Sequence, residues 1–294
     1  LEGYVRLCHL NPKDVYLDSV RRLIGYLEAT RMVTASGHGW GHNFDWQSRV
    51  FFVPKGTPTI VNSAFIGHAL LDVADAGLDP RALELALPIA AFILNDLHRA
   101  AEGDHFCFSY TPLDQYAVHN ANLLGASLLI RLWKQTGREV LRDAALSALA
   151  YSMRHQREDG SWYYSEKVGS HWIDSFHTGF NLEAIRRFIR AGEGGEWLAQ
   201  YELGRAYYRD TFFLFDGTPK YYHDRVFPID IHSPAEAVAF FSEEGDDFGT
   251  LADRVLDWML NNMRDKQGYF YFRKSRFFTN RIPYMRWGQA WAFR

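Results

Sequence analysis

A repeat of about 56 residues returns five times along the chain and constrains its fold more than any other feature. In each copy, a polar and aromatic-rich loop runs into an apolar helix of small residues. Taking one equivalent residue from each copy gives steps of 58, 58, 55 and 54: Asn62, Asn120, Thr178, Ser233 and Trp287. A period this regular is typical of one supersecondary unit stacked several times. We therefore expect all five loops to open at the same end of the molecule.

Two kinds of helix alternate between these loops. Residues 248–263 carry apolar side chains at i, i+3 and i+4 spacing, which predicts an outer helix with one buried stripe. Similar stretches lie at 12–31, 79–99, 138–155 and 196–211. Residues 123–130, by contrast, are apolar or small on nearly every side, as in a helix enclosed by others. The alternation predicts two concentric layers of helices.

The predicted fold is all-α: an (α/α)6-type toroid, or double-layered helical barrel, with short β-hairpins in the loops at one end. Five helix pairs are visible, and a sixth would come from missing sequence or from irregular segments. A superhelical solenoid is the competing arrangement. The toroid is favoured because inner helices this apolar leave little of the polar concave surface that solenoids expose.

The repeat runs almost end to end, which predicts a single domain over residues 1–294. We expect it to be incomplete at both termini, because it starts at Leu1 and stops in a helical pattern at Arg294. A net charge of -3 argues against a nucleic-acid surface, and no apolar run is long enough to span a membrane. Cys8 and Cys107 form no disulfide framework, which favours a reducing, cytoplasmic location. Because the N-terminus looks truncated, a periplasmic or secreted protein stays open, as does the oligomeric state.

The five loops combine aromatic rings with polar side chains, a mixture that suits sugars. Aromatic rings cover the C–H faces of a sugar, and polar groups bind its hydroxyls. An oligo- or polysaccharide is therefore the expected partner, with no cofactor. The alternative is that the rings only pack the hairpins onto the helices. The candidate substrate-binding residues are His42, Asp45, Trp46, Arg49, Asn120, Trp162, Tyr164, Trp172, Tyr284 and Trp287.

Asp174 and His177 form the sharpest local pattern, and the same lead-in returns as Asp230 and His232. Each aspartate is suited to cap a helix. Each could also orient its histidine as a general acid or base near neutral pH. The four side chains are of metal-ligating types, but the close spacings of known zinc signatures are absent, so no metal is predicted.

Arg286, Tyr221 and Tyr222 complete the catalytic candidates. Arg286 begins an otherwise apolar inner helix, where a charge must be paired or must bind an anion. Arg49 is a similar candidate in the first loop. Tyr221 and Tyr222 could supply a phenolic acid or base. A cavity arginine would bind the carboxylate of a sugar acid, and pairing with an internal aspartate is the alternative.

One segment resembles a motif of known toroids. Residues 156–162, Gln-Arg-Glu-Asp-Gly-Ser-Trp, are similar to the glutamine–tryptophan motif of squalene and terpene cyclases and of related prenyltransferase-type toroids. In those proteins the motif ties an outer helix to the following loop, so the resemblance implies fold rather than chemistry. The Asp-x-Asp-Asp motif that protonates polyprenes is absent, which argues against terpene cyclisation.

The chain as a whole is similar to a group of toroid proteins that accompany bacterial and archaeal polysaccharide-biosynthesis genes. Beside residues 156–162, the segments that carry this resemblance are 43–49, 174–180, 228–232 and 284–289. The resemblance implies the toroid fold and a glycan context. It implies no catalytic residues.

Three functions fit these observations. The first is a lyase or carbon-5 epimerase acting on a uronate-containing polysaccharide, with His177, His232, Tyr221 or Tyr222 as the base and Arg286 or Arg49 at the carboxylate. The second is a glycoside hydrolase with two carboxylates from Asp45, Asp174 and Asp230, ~5–5.5 Å or ~6.5–9.5 Å apart. The third is a non-catalytic protein of glycan binding or assembly.

Overall fold

The computed structural model describes the backbone of residues 1–294 and the side chains of residues 1–245 and 248–294. It is mostly helical. The helices are α1 (Glu2–Leu10), α2 (Asp14–Thr30), α3 (Ile60–Asp75), α4 (Arg81–Ala91), α5 (His119–Thr136), α6 (Glu139–Arg154), α7 (Ser175–Arg190), α8 (Leu198–Phe212), α9 (His232–Phe241), α10 (Asp246–Met263) and α11 (Ala290–Phe293). Two π-helical turns, Phe92–Asp96 and Met285–Gln289, and one 3-10 turn, Gly195–Trp197, adjoin them.

The strands are short and pair only as antiparallel neighbours. They are β1 (Met32–Val33), β2 (His38–Gly39), β3 (Trp46–Gln47), β4 (Phe52–Val53), β5 (Arg99–Glu102), β6 (His105–Phe108), β7 (Ile229–Asp230), β8 (Arg273–Lys274) and β9 (Thr279–Asn280). The first six form three hairpins in sequence order, and the last three form one sheet in the order β7-β8-β9. The expected hairpins within the loops are therefore confirmed.

The 56-residue repeat corresponds to real helix starts. Four of its copies begin α3, α5, α7 and α9, and the residues taken as equivalent in the sequence lie in the first turn of each. The fifth copy begins with the π-helical turn Met285–Gln289, which continues directly into α11. The apolar period therefore predicts where inner helices begin to within a few residues.

The chain divides into two compact units that alternate along the sequence. The first unit contains Leu1–His155, Ser165–His171 and Ala184–Glu196. The second contains Gln156–Tyr164, Trp172–Glu183 and Trp197–Arg294. Helix α7 contributes residues to both. A single domain over residues 1–294 stays a prediction.

The first unit is built as two helical layers. Helices α1, α3 and α5 contact one another in succession, and each packs against the helix that follows it: α2, α4 and α6. Helix α5 is buried along most of its length, whereas α2 buries only Ser19, Val20 and Ile24. This matches the predicted inner and outer classes. Helix α1, which the sequence pattern did not predict, gives α2 its inner partner.

The second unit has its own hydrophobic core beside α9. Helix α9 packs against α10 and α11. The buried cluster there contains Ile229, Ile231, Ala235, Trp258, Met259 and Met263. Because Ile229 and Ile231 point into this core, the intervening Asp230 is directed to the opposite face of the strand. The core thus sets the direction of one carboxylate of the candidate site.

The outer helix expected at 79–99 is shorter than the pattern indicates. Helix α4 ends at Ala91, a π-helical turn follows, and Arg99 belongs to β5. Arg99 pairs with Phe108 across the β5–β6 hairpin, so strand pairing claims the last residues of the expected helix. The other four outer helices begin and end within two residues of the expected bounds.

The glutamine–tryptophan segment ties a loop to helix α8. The side-chain amide of Gln156 donates to the carbonyl of Gly160 at 3.0 Å and to that of Gln200 on α8 at 2.9 Å. Trp162 is 3% exposed and packs at Gly204 of α8, where an added Cβ would lie 3.1 Å from its ring. The segment therefore acts as a structural clasp within the second unit.

Cys8 and Cys107 are both free and buried, and burial raises the pKa of the Cys107 thiol. None of the described helices combines the length and the apolar composition that crossing a lipid bilayer requires.

Candidate active site

The first acid–base pair lies at the start of α7. One oxygen of Asp174, Oδ1, accepts the backbone N–H of His177 at 3.0 Å, which caps the helix. The other, Oδ2, lies 2.7 Å from Nδ1 of the His177 ring and also accepts the indole N–H of Trp172 at 3.1 Å. Asp174 is almost fully buried, whereas the His177 side chain is 22% exposed. The sequence posed capping and histidine orientation as alternatives, and the structure contains both interactions at one carboxylate.

The second pair repeats the arrangement at the start of α9. Asp230, at the end of β7, accepts the backbone N–H of His232 at 3.2 Å and lies 3.4 Å from Nδ1 of its ring. Its other oxygen accepts a hydrogen bond from Nη2 of Arg273 at 3.0 Å. Both Asp230 and His232 are buried. Of the side chains that the structure describes, none forms a hydrogen bond with Nε2 of His232.

Both histidines pack against the same phenyl ring. The centroid of Phe176 lies 4.2 Å from that of His177 and 5.6 Å from that of His232. Phe176 itself is half-buried and follows the capping aspartate by two positions. The structure thus brings together two histidines that lie 55 residues apart in the chain, as the repeat requires.

The contacts at Nδ1 determine which nitrogen of each imidazole can accept a proton. A carboxylate on Nδ1 places the proton of the neutral ring on that nitrogen and leaves a lone pair on Nε2. The same carboxylate stabilises the imidazolium that forms when Nε2 takes a proton. An imidazole held in this way can accept a proton at Nε2 and then donate it.

Aromatic rings surround both pairs. Tyr164 stacks on Trp172 at 4.4 Å between centroids and lies 4.9 Å from His177. Trp287 meets the His232 ring edge-on at 5.2 Å and keeps 39% of its surface exposed. Tyr284 is also exposed and packs against Phe272 at 5.0 Å. Trp172 and Trp287 therefore lie beside the histidines with part of their surface exposed, whereas the predicted binding residue Tyr164 is buried.

Tyr221 and Tyr222 contact each other, with ring centroids 4.6 Å apart, and Tyr221 lies 5.6 Å from Phe176. Burial and the neighbouring carboxylate of Asp174 raise the pKa of the Tyr221 phenol far above its ordinary value. A raised pKa favours the protonated phenol, which can donate a hydrogen bond. The roles of Tyr221 and Tyr222 as acid or base stay predictions.

The cation beside Asp230 is Arg273 rather than Arg286. Arg273 lies on β8, whose register places it opposite Asp230 on β7. Arg286 is exposed, burial of part of its side chain lowers its pKa, and its guanidinium lies over the Trp287 ring at 4.5 Å. Sequence reasoning missed Arg273, because only strand register aligns it with Asp230.

His232 and, to a smaller extent, Arg273 favour the ionised form of Asp230. Burial alone would raise the pKa of this carboxyl, but the hydrogen bond and charge of His232, with the Arg273 guanidinium, hold it below its ordinary value of 3.8. A lowered folded-state pKa means that the ionised carboxylate stabilises the protein above the unfolded pKa. That contribution is lost as the pH falls through the folded-state pKa.

We therefore expect Arg273→Met to reduce the free energy of unfolding by about 1–3 kcal/mol at neutral pH, because a buried carboxylate loses a charged donor. The difference from the unmodified protein should shrink below about pH 4, where a protonated carboxyl no longer needs the cation. Urea unfolding at pH 7 and at pH 3 measures both. Arg276→Met, an exposed position beyond the same strand, is the control. Equal destabilisation at both pH values would contradict the assignment.

The other binding candidates lie in the first unit. His42 contacts Trp46 at 5.1 Å between centroids, and its Nδ1 lies 3.3 Å from the amide nitrogen of Asn62. Asp45 is exposed and accepts the backbone N–H of Lys55 at 2.7 Å, which is a loop-capping role. Arg49 is exposed. Asn120 is buried, and its Oδ1 has no hydrogen-bond partner among the described side chains and backbone.

Trp162, a predicted binding residue, lies in the core of the second unit, and its burial leaves little ring surface for a ligand. The four residues Asp174, His177, Asp230 and His232 do not form a group at metal-ligand spacing in the described part of the chain. They form two separate Asp–His contacts instead.

Comparison with solved structures identifies the fold class. The chain is similar to an α-mannanase of glycoside hydrolase family 76 from Bacteroides thetaiotaomicron, with a TM-score of 0.74, 14% sequence identity, and coverage of 99% of this chain and 81% of that one. It is similar to cellobiose 2-epimerase from Bacillus thermoamylovorans, with a TM-score of 0.71, 13% identity and coverage of 99% and 84%. A D-mannose isomerase gives a TM-score of 0.64, 13% identity and coverage of 95% and 79%.

No protein-family model and no curated protein sequence matches the chain. At such low identity the structural likeness shows the fold alone. The matched structures are (α/α)6 toroids. The chain therefore has the (α/α)6-toroid fold that its repeat predicts.

Proposed function

We propose that this protein is a carbohydrate epimerase that removes and returns a proton on a sugar carbon beside a carbonyl or carboxylate group. The observation that carries the proposal is the pair of Asp–His couples beside Phe176. In each couple the carboxylate contacts Nδ1, so Nε2 is the nitrogen that would exchange a proton with the substrate. Two such groups are what an epimerase needs, because the proton leaves one face of the carbon and returns to the other.

The proposed proton transfers at carbon require no oxidant, reductant or cofactor. Nε2 of one histidine takes the proton from carbon, and the electron pair moves into the adjacent carbonyl or carboxylate to form an enolate. The second histidine, already protonated, donates to the opposite face and restores the carbonyl. Each aspartate stabilises the charged form of its own ring. After the reaction the two histidines have exchanged protonation states, and proton exchange with solvent resets them.

A saccharide is proposed because of the rings beside the histidines and because of what similar folds do. Trp287 is partly exposed and contacts His232, so a sugar stacked on it would lie next to a base. The similar structures include enzymes named as a cellobiose 2-epimerase and a mannose isomerase, which act on sugars. The resemblance to toroids that accompany polysaccharide-biosynthesis genes agrees with this class of substrate.

A sugar acid is the substrate that the charges favour. Arg286 lies over Trp287, whose ring contacts His232, so a cation lies one ring away from the proposed base. A guanidinium there would stabilise the negative charge that develops on a carboxylate when the neighbouring carbon loses its proton. We therefore propose carbon-5 of a uronate residue as the reacting centre, with the carbon beside a free reducing end as the alternative position.

The hydrolase reading fits the geometry less well. It needs two carboxylates that face a glycosidic bond, one of them protonated. Asp174 and Asp230 each accept a backbone N–H and contact a histidine, and Asp45 caps a loop. The lowered pKa of Asp230 also disfavours a protonated acid at that position.

The proposal is tested by incubating the protein in deuterated water with uronate oligosaccharides and with neutral reducing disaccharides. We expect deuterium on carbon in one epimer of a uronate residue, detected by NMR, with chain length unchanged. Deuterium only at the carbon beside the reducing end would move the reaction there. New reducing ends without deuterium would show hydrolysis, and ultraviolet absorbance of an unsaturated uronate would show elimination. Either of those results, or binding without turnover, would overturn the epimerase proposal.

A further inference from the structure

Three side chains from separate segments of the first unit converge on one point: His119, His155 and Glu166. His119 is the first residue of α5, His155 follows the last residue of α6, and Glu166 lies in a loop. Nε2 of His119 lies 2.8 Å from Oε1 of Glu166, and Nδ1 of His155 lies 3.4 Å from Oε2 of the same carboxylate. One ligand atom from each residue lies within 4.8 Å of the other two.

The remaining ring nitrogens are both oriented by hydrogen bonds. Nδ1 of His119 lies 3.2 Å from the hydroxyl oxygen of Ser152, which also accepts a hydrogen bond from Asn122 at 3.0 Å. Nε2 of His155 lies 2.9 Å from a carboxylate oxygen of Glu102. Histidines that bind metal almost always donate their other N–H to a carboxylate or another acceptor, which fixes the tautomer. Both histidines here have that arrangement.

The distances suit a small cation. In a tetrahedral site with bonds of about 2.1 Å, neighbouring ligand atoms lie about 3.4 Å apart. Nδ1 of His155 lies at this distance from Oε2 of Glu166, whereas Nε2 of His119 lies 2.8 Å from the other oxygen, Oε1. The carboxylate would therefore have to move away from His119 to hold an ion between all three residues. Glu166 and His155 are partly exposed, whereas His119 is buried. An ion would therefore reach the cluster from the side of Glu166 and His155.

An aromatic ring packs beside both histidines. The Tyr151 ring lies 4.6 Å from that of His155 and 6.0 Å from that of His119, and limits rotation of both.

We propose that His119, His155 and Glu166 bind a divalent transition-metal ion such as Zn²⁺, with Glu102 and Ser152 as positioning residues. Two imidazoles and one carboxylate are typical of zinc and of related first-row metals, whereas Ca²⁺ and Mg²⁺ prefer oxygen ligands alone. Three protein ligands leave at least one coordination position for water or for a small anionic ligand. The competing interpretation is a histidine–glutamate hydrogen-bond network that binds no ion.

The test uses metal-free protein titrated with Co²⁺, whose visible absorption reports coordination geometry, followed by competition with Zn²⁺. We expect one Co²⁺ per chain, an absorption pattern of tetrahedral or five-coordinate metal, and release of protons on binding. Zn²⁺ should displace Co²⁺ and raise the thermal unfolding temperature, because it binds the folded state. None of these readouts depends on activity toward a sugar.

Variants separate the proposal from surface binding. Glu166→Gln should abolish the Co²⁺ spectrum and the thermal shift, and Glu102→Gln should weaken binding about 10–100-fold while leaving one site. His171→Asn is the matched control, because its ring lies 3.3 Å from the backbone carbonyl of Glu166 but is exposed. Circular dichroism confirms that each variant is folded. No binding by the unmodified protein, or unchanged affinity in Glu166→Gln, would overturn the proposal.

Discussion

Replacing His232 with asparagine is expected to lower epimer formation by about 10²–10⁴-fold, the usual contribution of a positioned acid or base. Asparagine keeps a polar side chain of similar length, and the backbone N–H of residue 232 can still bond to Asp230. The variant loses the lone pair that Nε2 presents. The stability of the start of α9 should therefore change far less than the rate.

The same variant distinguishes a two-base from a one-base mechanism. With two histidines on opposite faces of the carbon, His232→Asn should stop epimerisation, yet one of the two epimers should still exchange its proton with solvent through His177. His177→Asn should give the opposite pattern, with exchange confined to the other epimer. NMR of each pure epimer in deuterated water measures this directly.

The control is His223→Asn, which removes an exposed imidazole from the loop that carries Tyr221. Its Nδ1 lies 3.3 Å from the backbone carbonyl of Ile173, so it contacts the segment that leads into α7 without touching Asp174. It should leave both exchange and epimerisation nearly unchanged. If His232→Asn keeps full activity while His223→Asn does not, the assignment of the base is wrong.

Replacing Gly160 with alanine is expected to lower the free energy of unfolding by about 3–5 kcal/mol. Gly160 has φ of +89°, and a Cβ added there would lie 2.6 Å from the backbone carbonyl oxygen of Leu203 on α8. The carbonyl cannot move without disturbing the helix. The substitution therefore combines backbone strain with a clash at the clasp formed by Gln156 and Trp162.

Gly169→Ala separates the two contributions. Gly169 has φ of +88°, almost the same as Gly160, but an added Cβ would meet nothing within 4 Å. It should cost only the strain of a left-handed backbone, about 1–2 kcal/mol. Urea unfolding of both variants at one temperature gives the comparison. Equal losses would mean that the approach to α8 contributes nothing.

Periodicity predicted the fold because it reflects burial directly. An inner helix such as α5 must be apolar or small on every side, and an outer helix such as α10 needs only one stripe, so the two classes are visible in the sequence. Helix α1 was missed because nine residues are too few to show a clear period. The end of α4 was misplaced because strand pairing between β5 and β6 depends on residues that local propensity does not include.

The candidate site was predictable where its chemistry is local. Asp174 and His177 are three residues apart, and a helix cap joins a side chain to the backbone N–H three residues later. Sequence spacing therefore indicates their contact. Arg273 reaches Asp230 across 43 residues, through the register of two short strands. His119, His155 and Glu166 come from three segments with no recognisable spacing. Contacts of the last two kinds require the tertiary structure.

The double use of Asp174 and Asp230 has a consequence for how this chain can diverge. Each carboxylate accepts a backbone N–H in the first turn of a helix and contacts an imidazole, so its loss would affect both the helix start and the proposed chemistry. The imidazoles have no such second duty. A descendant that loses catalysis but keeps its structure is therefore expected to retain both aspartates and to replace the histidines. The surviving carboxylates of such a pseudoenzyme would mark a former active site.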